Sequence, residues 1–216
     1  RTGCAQRFAT FSLLVQETGW FDPTHERLCD WIQYHIQEGQ RLDRDVLLCI
    51  TMPRGSLKST IVTRNLAIWL STLDPNLRML IATNTHTNAR KKLQSIRAIF
   101  DSHDLFRRLY PNLLPTRSCK WTDEAADVNR PMPFPEATFE ACGMGTVKIG
   151  CHYNIIFEDD TTAPDVSAMK IETTTPSIEE VERAIGWHKQ AHNLLVPKGR
   201  RIRIVVSTRW CDFDLV

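Results

Sequence analysis

Asp45-Val46-Leu47-Leu48-Cys49-Ile50-Thr51-Met52-Pro53-Arg54-Gly55-Ser56-Leu57-Lys58-Ser59-Thr60 is the stretch on which the reading of this chain turns. Residues 45–51 make a short apolar run of the kind that fills a buried parallel strand. Residues 60–72 carry Ile61, Val62, Leu66, Ile68, Trp69 and Leu70, which predicts a helix packed against a sheet. Strand, loop and helix in that order are the setting of a phosphate-binding loop. The loop itself, 52–60, lacks the usual glycines. Leu57 stands where one precedes the Lys-Ser pair, and Met52 stands five residues earlier where the other belongs. The chemistry survives the substitutions. Lys58 can reach terminal phosphates, and the Ser59 hydroxyl can ligate magnesium. Backbone N–H groups around Gly55 and at the start of the helix can form an anion nest. Arg54 adds a cation four residues before the lysine. Arg54, Gly55, Ser56, Leu57, Lys58, Ser59 and Thr60 are therefore the candidate phosphate-binding set, with ATP and Mg2+ as the expected ligands. The plain alternative is a turn that merely precedes Lys-Ser.

A second motif weighs against that alternative. Tyr153-Asn154-Ile155-Ile156-Phe157 predicts a strand that runs into Glu158-Asp159-Asp160, roughly 100 residues after the loop. An apolar strand ending in adjacent carboxylates completes an ATP site. One carboxylate holds the magnesium shell, and the next orients or deprotonates the attacking water. The working pair is either Glu158-Asp159 or Asp159-Asp160. Asp159 belongs to both frames and is assigned to the metal together with Ser59. Glu158 and Asp160 are the candidate catalytic carboxylates.

Around these motifs, helices are expected at 24–37 (Thr24 as cap), 87–102, 105–110 and 176–195, with strands at 78–83 and 201–208. Residues 111–135 read as loop, and 137–141 with 146–149 as a hairpin. Alternating strands and helices indicate an α/β domain with a mainly parallel central sheet flanked by helices.

The 216 residues suit one such domain with a sizeable core. Beginning at Arg1 and ending at Val216 just past a strand, the chain is expected to be a piece of a longer protein. No apolar run approaches the ~20 residues that span a bilayer, and no secretory leader is visible. The seven cysteines never form a Cys-x-x-Cys pair, and several, such as Cys49, sit in apolar runs. A reducing, intracellular setting is expected. Cys142, Cys151 and His152 lack a fourth metal ligand at suitable spacing, so ordinary core and loop roles are expected. Net charge is only +2, so any nucleic-acid surface must be local. The basic groups are Arg90-Lys91-Lys92 with Arg97, Arg107-Arg108, and Lys198, Arg200, Arg201 and Arg203, each read by default as a solvated face.

Taken together, these segments resemble the ATPase domain of a large terminase subunit, the motor that packages DNA into phage and related viral heads. The resemblance spans most of 1–216. It rests on Arg54 and Lys58 in an irregular phosphate loop and on Phe100-Asp101-Ser102-His103-Asp104-Leu105-Phe106 through Leu109-Tyr110-Pro111. It also rests on Glu136-Ala137-Thr138 leading through Gly143 to Gly150, and on Ile155-Ile156 into Asp159-Asp160. The last match is Val205-Val206-Ser207-Thr208-Arg209-Trp210, with Asp212 to Leu215 close behind. The resemblance implies a P-loop NTPase of the additional-strand (ASCE) type that hydrolyses ATP to move double-stranded DNA. It implies a homo-oligomeric ring on the portal protein of a prohead, a small terminase subunit as partner, and the host cytoplasm as the place of work, with no membrane. It gives Arg54 a catalytic or sensing role and Thr208, with Ser207, the coupling of hydrolysis to movement. Family motors also use an arginine from a neighbouring subunit, for which only Lys148 stands in the corresponding region. Phe21 and His25 are the candidates for base contact. The family's second half, a metal-dependent nuclease of RNase H-like fold, has no counterpart here, so no DNA cleavage is expected.

Three other readings compete. A helicase-like or recombination ATPase shares the sheet, and a degenerate module would bind nucleotide without turnover. A small-molecule kinase would need a lid and an acceptor pocket, which the sequence does not display.

Overall fold

The computed structural model describes residues 7–16, 21–146, 148, 150–163 and 175–209. Trp210 and the 212–215 segment, on which the end of the resemblance rests, lie outside them, as do 147 and 149 of the expected hairpin arm. In chain order the elements are α1 (Phe8–Val15), α2 (Pro23–Arg41), β1 (Val46–Thr51), a π-helical segment (Ser59–Asn65) continuing into α3 (Leu66–Leu73), and β2 (Met79–Thr83). Then follow α4 (His86–Ser102), α5 (Asp104–Leu109), β3 (Ala125–Ala126), β4 (Phe139–Gly143), β5 (Ile155–Asp159), α6 (Ile178–Ala191) and β6 (Ile202–Ser207). The sheet runs β1-β6-β5-β2-β4-β3, and every pairing is parallel except β3 against β4. The expected α/β class with a mainly parallel sheet is what forms.

Burial explains why the inner strands read as continuous apolar runs. Every residue of β2, β4, β5 and β6 is buried, because both faces are covered. The larger core lies on the face of α1 and α3–α5, where Phe8, Phe11, Trp69, Phe100, Phe106, Phe139 and Phe157 pack. The smaller one, under α6, contains Leu80, Cys142, Tyr153, Ile156, Ala191 and Leu195. β1 alternates instead, with Leu47 and Cys49 on an exposed face, so Cys49 does not act as a core residue. The five described cysteines are all free. Among the described residues, no helix is long and apolar enough to cross a membrane.

The short strand β3 forms inside the 111–135 segment expected as loop, and three further local expectations change. Asp22, not Thr24, caps α2. Its carboxylate accepts from the Thr24 and His25 N–H groups, Pro23 opens the helix, and His25 Nδ1 accepts from the Asp22 N–H. Among the described residues of 137–149 no hairpin forms, and β4 pairs instead in parallel with β2 and antiparallel with β3. Gly143 closes β4 against the start of α4, where a Cβ would lie 2.4 Å from the His86 nitrogen. The helix α1 was not expected from the sequence. It lacks a side-chain cap, and it buries Phe8 on Trp69 (ring centroids 5.2 Å apart) and Phe11 against Phe106.

Candidate active site

The register aligns the carboxyl ends of the strands. Thr51 of β1 pairs with Ser207 of β6, and Asp159 of β5 with Val206. The loop after β1, Asp160 after β5 and Thr208 after β6 therefore open on one edge of the sheet, where ligands bind in open parallel sheets. The Met52 N–H donates to the Ser207 carbonyl (3.1 Å), and the Asp160 N–H to that of Val206 (2.8 Å).

Within the loop, Arg54 and Gly55 form an exposed turn, with Gly55 at φ 77°. The Ser56 hydroxyl closes it by donating to the Pro53 carbonyl (2.7 Å). Leu57 sits at φ 59°, in the left-handed region. A branched aliphatic there costs on the order of 1–2 kcal/mol, partly offset because the side chain packs against the larger core. The position thus keeps a glycine-like backbone without glycine. His25 braces the loop from below. Its Nδ1 accepts from the Asp22 N–H, so the proton lies on Nε2, which donates to the Ser56 carbonyl at 3.1 Å. With both ring nitrogens engaged and the residue buried, His25 is a brace for the loop and has no nitrogen left for a nucleobase. Phe21 packs against the His25 ring at a tilt, with centroids 5.7 Å apart.

Lys58 is buried at the start of the helix, and its ammonium lies 3.4 Å from Asp160 Oδ2. The Ser59 hydroxyl donates to Asp159 Oδ1 (2.8 Å), and the Thr63 hydroxyl to Oδ2 (2.7 Å). Both hydroxyls reach one carboxylate because residues four apart fall on one side of this helix. The π-helical turn through Ser59–Asn65 widens it at that point, a feature frequent at functional sites. Lys92 of α4 completes the group, 3.0 Å from Asp159 Oδ2. Asp160 takes a left-handed turn (φ 49°) just past β5, and its Oδ1 accepts from the Thr208 N–H (3.2 Å). Burial, and then the neighbouring Asp159 charge, push the Asp160 carboxyl above its usual range, against the opposing pull of Lys58 and Lys92. The Thr208 hydroxyl is buried and has no partner among the described residues.

Lys58, Ser59, Asp159, Asp160 and Thr208 are thus gathered, and Arg54 caps the loop on its exposed side. Glu158 is not among them. Successive residues of a strand face opposite ways, so Glu158 points away from the Asp159 side, toward α6. There Arg203 holds its Oε1 through Nε (3.1 Å) and a second guanidinium nitrogen (2.6 Å), and His188 Nδ1 lies 2.7 Å from Oε2. The Glu158-Asp159 frame therefore loses its first member to a buried ion pair. Removing one partner of such a pair leaves an uncompensated charge, at about 3–5 kcal/mol. Glu158→Gln is expected to lower thermal stability on that scale while the folded fraction keeps its turnover. Unchanged melting with turnover lost would reverse this assignment.

Two residues escaped the sequence reading. Thr63 carried a usable signal, its spacing of four from Ser59. Lys92 was grouped with a solvated basic face, although it adjoins Leu93 on the buried stripe of α4. Two other members of that group, Arg90 and Arg97, pair with Asp123 at 3.1 and 2.7 Å, and from the separate 198–203 group Arg201 pairs with Asp45. Lys148 is held by Glu140 at 2.9 Å beside a cavity of about 500 Å³ that Arg183 and Trp187 also line. Among the described residues, no three His, Cys, Asp or Glu side chains form a metal-holding group, Cys142, Cys151 and His152 included.

No protein-family model matches the chain, and no curated protein is detectably similar to it.

Proposed function

We propose that this chain is an ATP-hydrolysing P-loop domain of the additional-strand type. The observation that carries the reading is the meeting of Lys58 and Ser59 with Asp159 and Asp160 at one carboxyl edge. The strand order supports it, since β6 lies between the loop strand β1 and the acidic strand β5. Magnesium suits the donors present. The Ser59 hydroxyl and the Asp159 carboxylate are hard oxygens 2.8 Å apart. Two protein oxygens, with phosphate and water oxygens for the rest, are what this ion takes at nucleotide sites. Bound there, it supplies charge neutralisation at the phosphates. Lys58 binds the terminal phosphates, and Arg54 adds positive charge from the loop tip. Asp160, poised with a raised pKa, accepts the proton of the attacking water. The α3–α4 side and the loop exclude bulk water from Lys58 and Asp159.

Within that class we read the chain as the motor domain of a large terminase subunit, acting on double-stranded DNA at the portal of a prohead, in a ring and with a small subunit. Support comes from the irregular loop with Arg54 and Lys58, and from Ser207-Thr208 beside the catalytic carboxylate. The Thr208 N–H holds Asp160 while its hydroxyl is buried without a described partner, which suits a residue that reports hydrolysis. Thr208→Val keeps the shape and removes only that hydroxyl, at little cost in stability. In the full-length protein the variant is expected to bind ATP normally and to package no DNA in a prohead assay. Normal packaging would reduce Thr208 to scaffold. ATP turnover stimulated by single-stranded DNA, and not by portal-bearing proheads, would move the assignment to a helicase-like motor.

A further inference from the structure

We infer that Lys92 is a built-in competitor of the divalent cation at Asp159, a positioning residue that holds the metal-binding carboxylate until magnesium displaces it. The inference rests on the reading of Asp159 as a magnesium ligand. Asp159 is fully buried, and its two oxygens already receive the Ser59 and Thr63 hydroxyls. A buried carboxylate with only neutral donors is costly, and one ammonium at 3.0 Å removes most of that cost. Lys92 supplies it from α4, the helix after β2, with its side chain 29% exposed. A side chain that is partly open to solvent leaves the ammonium a way out that Lys58, 8% exposed, lacks.

The two lysines thus divide the two carboxylates, Lys58 with Asp160 and Lys92 with Asp159. A divalent ion arriving at Ser59 and Asp159 meets a carboxylate already neutralised, and two cations crowded on one carboxylate repel each other. Magnesium affinity is therefore set as a difference, lowered by the ammonium that must leave. A released Lys92 stays tethered at the mouth of the site. It then adds a cation from the same chain where the terminal phosphates bind.

The test is Mn2+ binding to the protein without nucleotide, followed by electron paramagnetic resonance, for the parent, Lys92→Met and Lys92→Met combined with Asp159→Asn. Lys92→Met removes the charge and keeps most of the stem. It is expected to bind Mn2+ at least ~10-fold more tightly than the parent, and the Asp159→Asn combination is expected to abolish the gain. Lys92→Gln serves as a second uncharged variant, and thermal unfolding confirms that each protein is folded. Mn2+ affinity that is unchanged or weaker in both folded lysine variants overturns the inference. Failure of the nucleotide reading is seen separately, as absence of fluorescent ATP analogue binding to the parent, because the Mn2+ titration needs no nucleotide.

Discussion

Lys58→Ala is expected to reduce ATP turnover by a factor of at least about 100 while leaving the fold intact. The ammonium is buried and lies 3.4 Å from Asp160 Oδ2, so its position is held by the protein before any phosphate binds. A cation fixed in advance at the place where negative charge builds is worth more than the same cation in water, because nothing must reorganise during the reaction. Truncation acts twice. It removes the charge at the phosphates, and it strips Asp160 Oδ2 of the cation that holds the carboxylate in place. The fold does not depend on Lys58, since the helix it starts is anchored by Ile61, Val62 and Leu66 in the larger core. Circular dichroism should match the parent, with a lower melting temperature from the lost Lys58–Asp160 pair but a folded protein at the assay temperature. Turnover above a tenth of the parent's at saturating ATP would count against the phosphate-loop role.

The parts of this site that were legible in the sequence are those whose signal is local. Residues 45–60 and 153–160 each announce a strand and the polar residues that end it, and the structure brings the two ends together. What was not legible depends on orientation. Whether Glu158 or Asp160 joins Asp159 is set by which face of β5 each side chain takes, and by the left-handed turn at Asp160, neither of which a run of three acids reveals. Lys92 depends on how α4 is rotated on the sheet, and a Lys beside two other basic residues reads as solvated until that rotation is known. β4 failed for a related reason. Its true partner, β2, lies some 60 residues earlier in the chain, so the pairing leaves no local trace, whereas the Gly143-Met144-Gly145 run imitates a hairpin turn. Leu57 shows the reverse case, a motif position whose residue type misleads while its backbone keeps the left-handed conformation that the motif's glycine supplies.

Asp160→Asn is expected to lower the catalytic constant by about 10²–10⁴ with little change in nucleotide affinity. The carboxylate stands just past β5, held by the Thr208 N–H at one oxygen and by Lys58 at the other, beside the Asp159 assigned to the metal. A base is more effective when its pKa lies closer to the working pH, and burial, then the Asp159 charge, shift Asp160 in that direction. Asn retains the shape and an acceptor oxygen for Thr208 but cannot take a proton. The same shift makes a stability prediction of definite sign. Between the ordinary value of 3.8 and the raised one, the folded chain binds a proton that the unfolded chain has released. Stability therefore falls as pH rises through that interval, being full below the ordinary value and lost above the raised one. Asn mimics the protonated side chain at every pH, so Asp160→Asn should melt no lower than the parent at neutral pH, with any gain fading on acidification toward pH 4. Loss of turnover together with a melting temperature equal to or above the parent's at neutral pH is the signature of a site that gives up stability for chemistry. A variant that keeps parental turnover, while Glu158→Gln loses it in a folded protein, would return the catalytic role to the other face of β5.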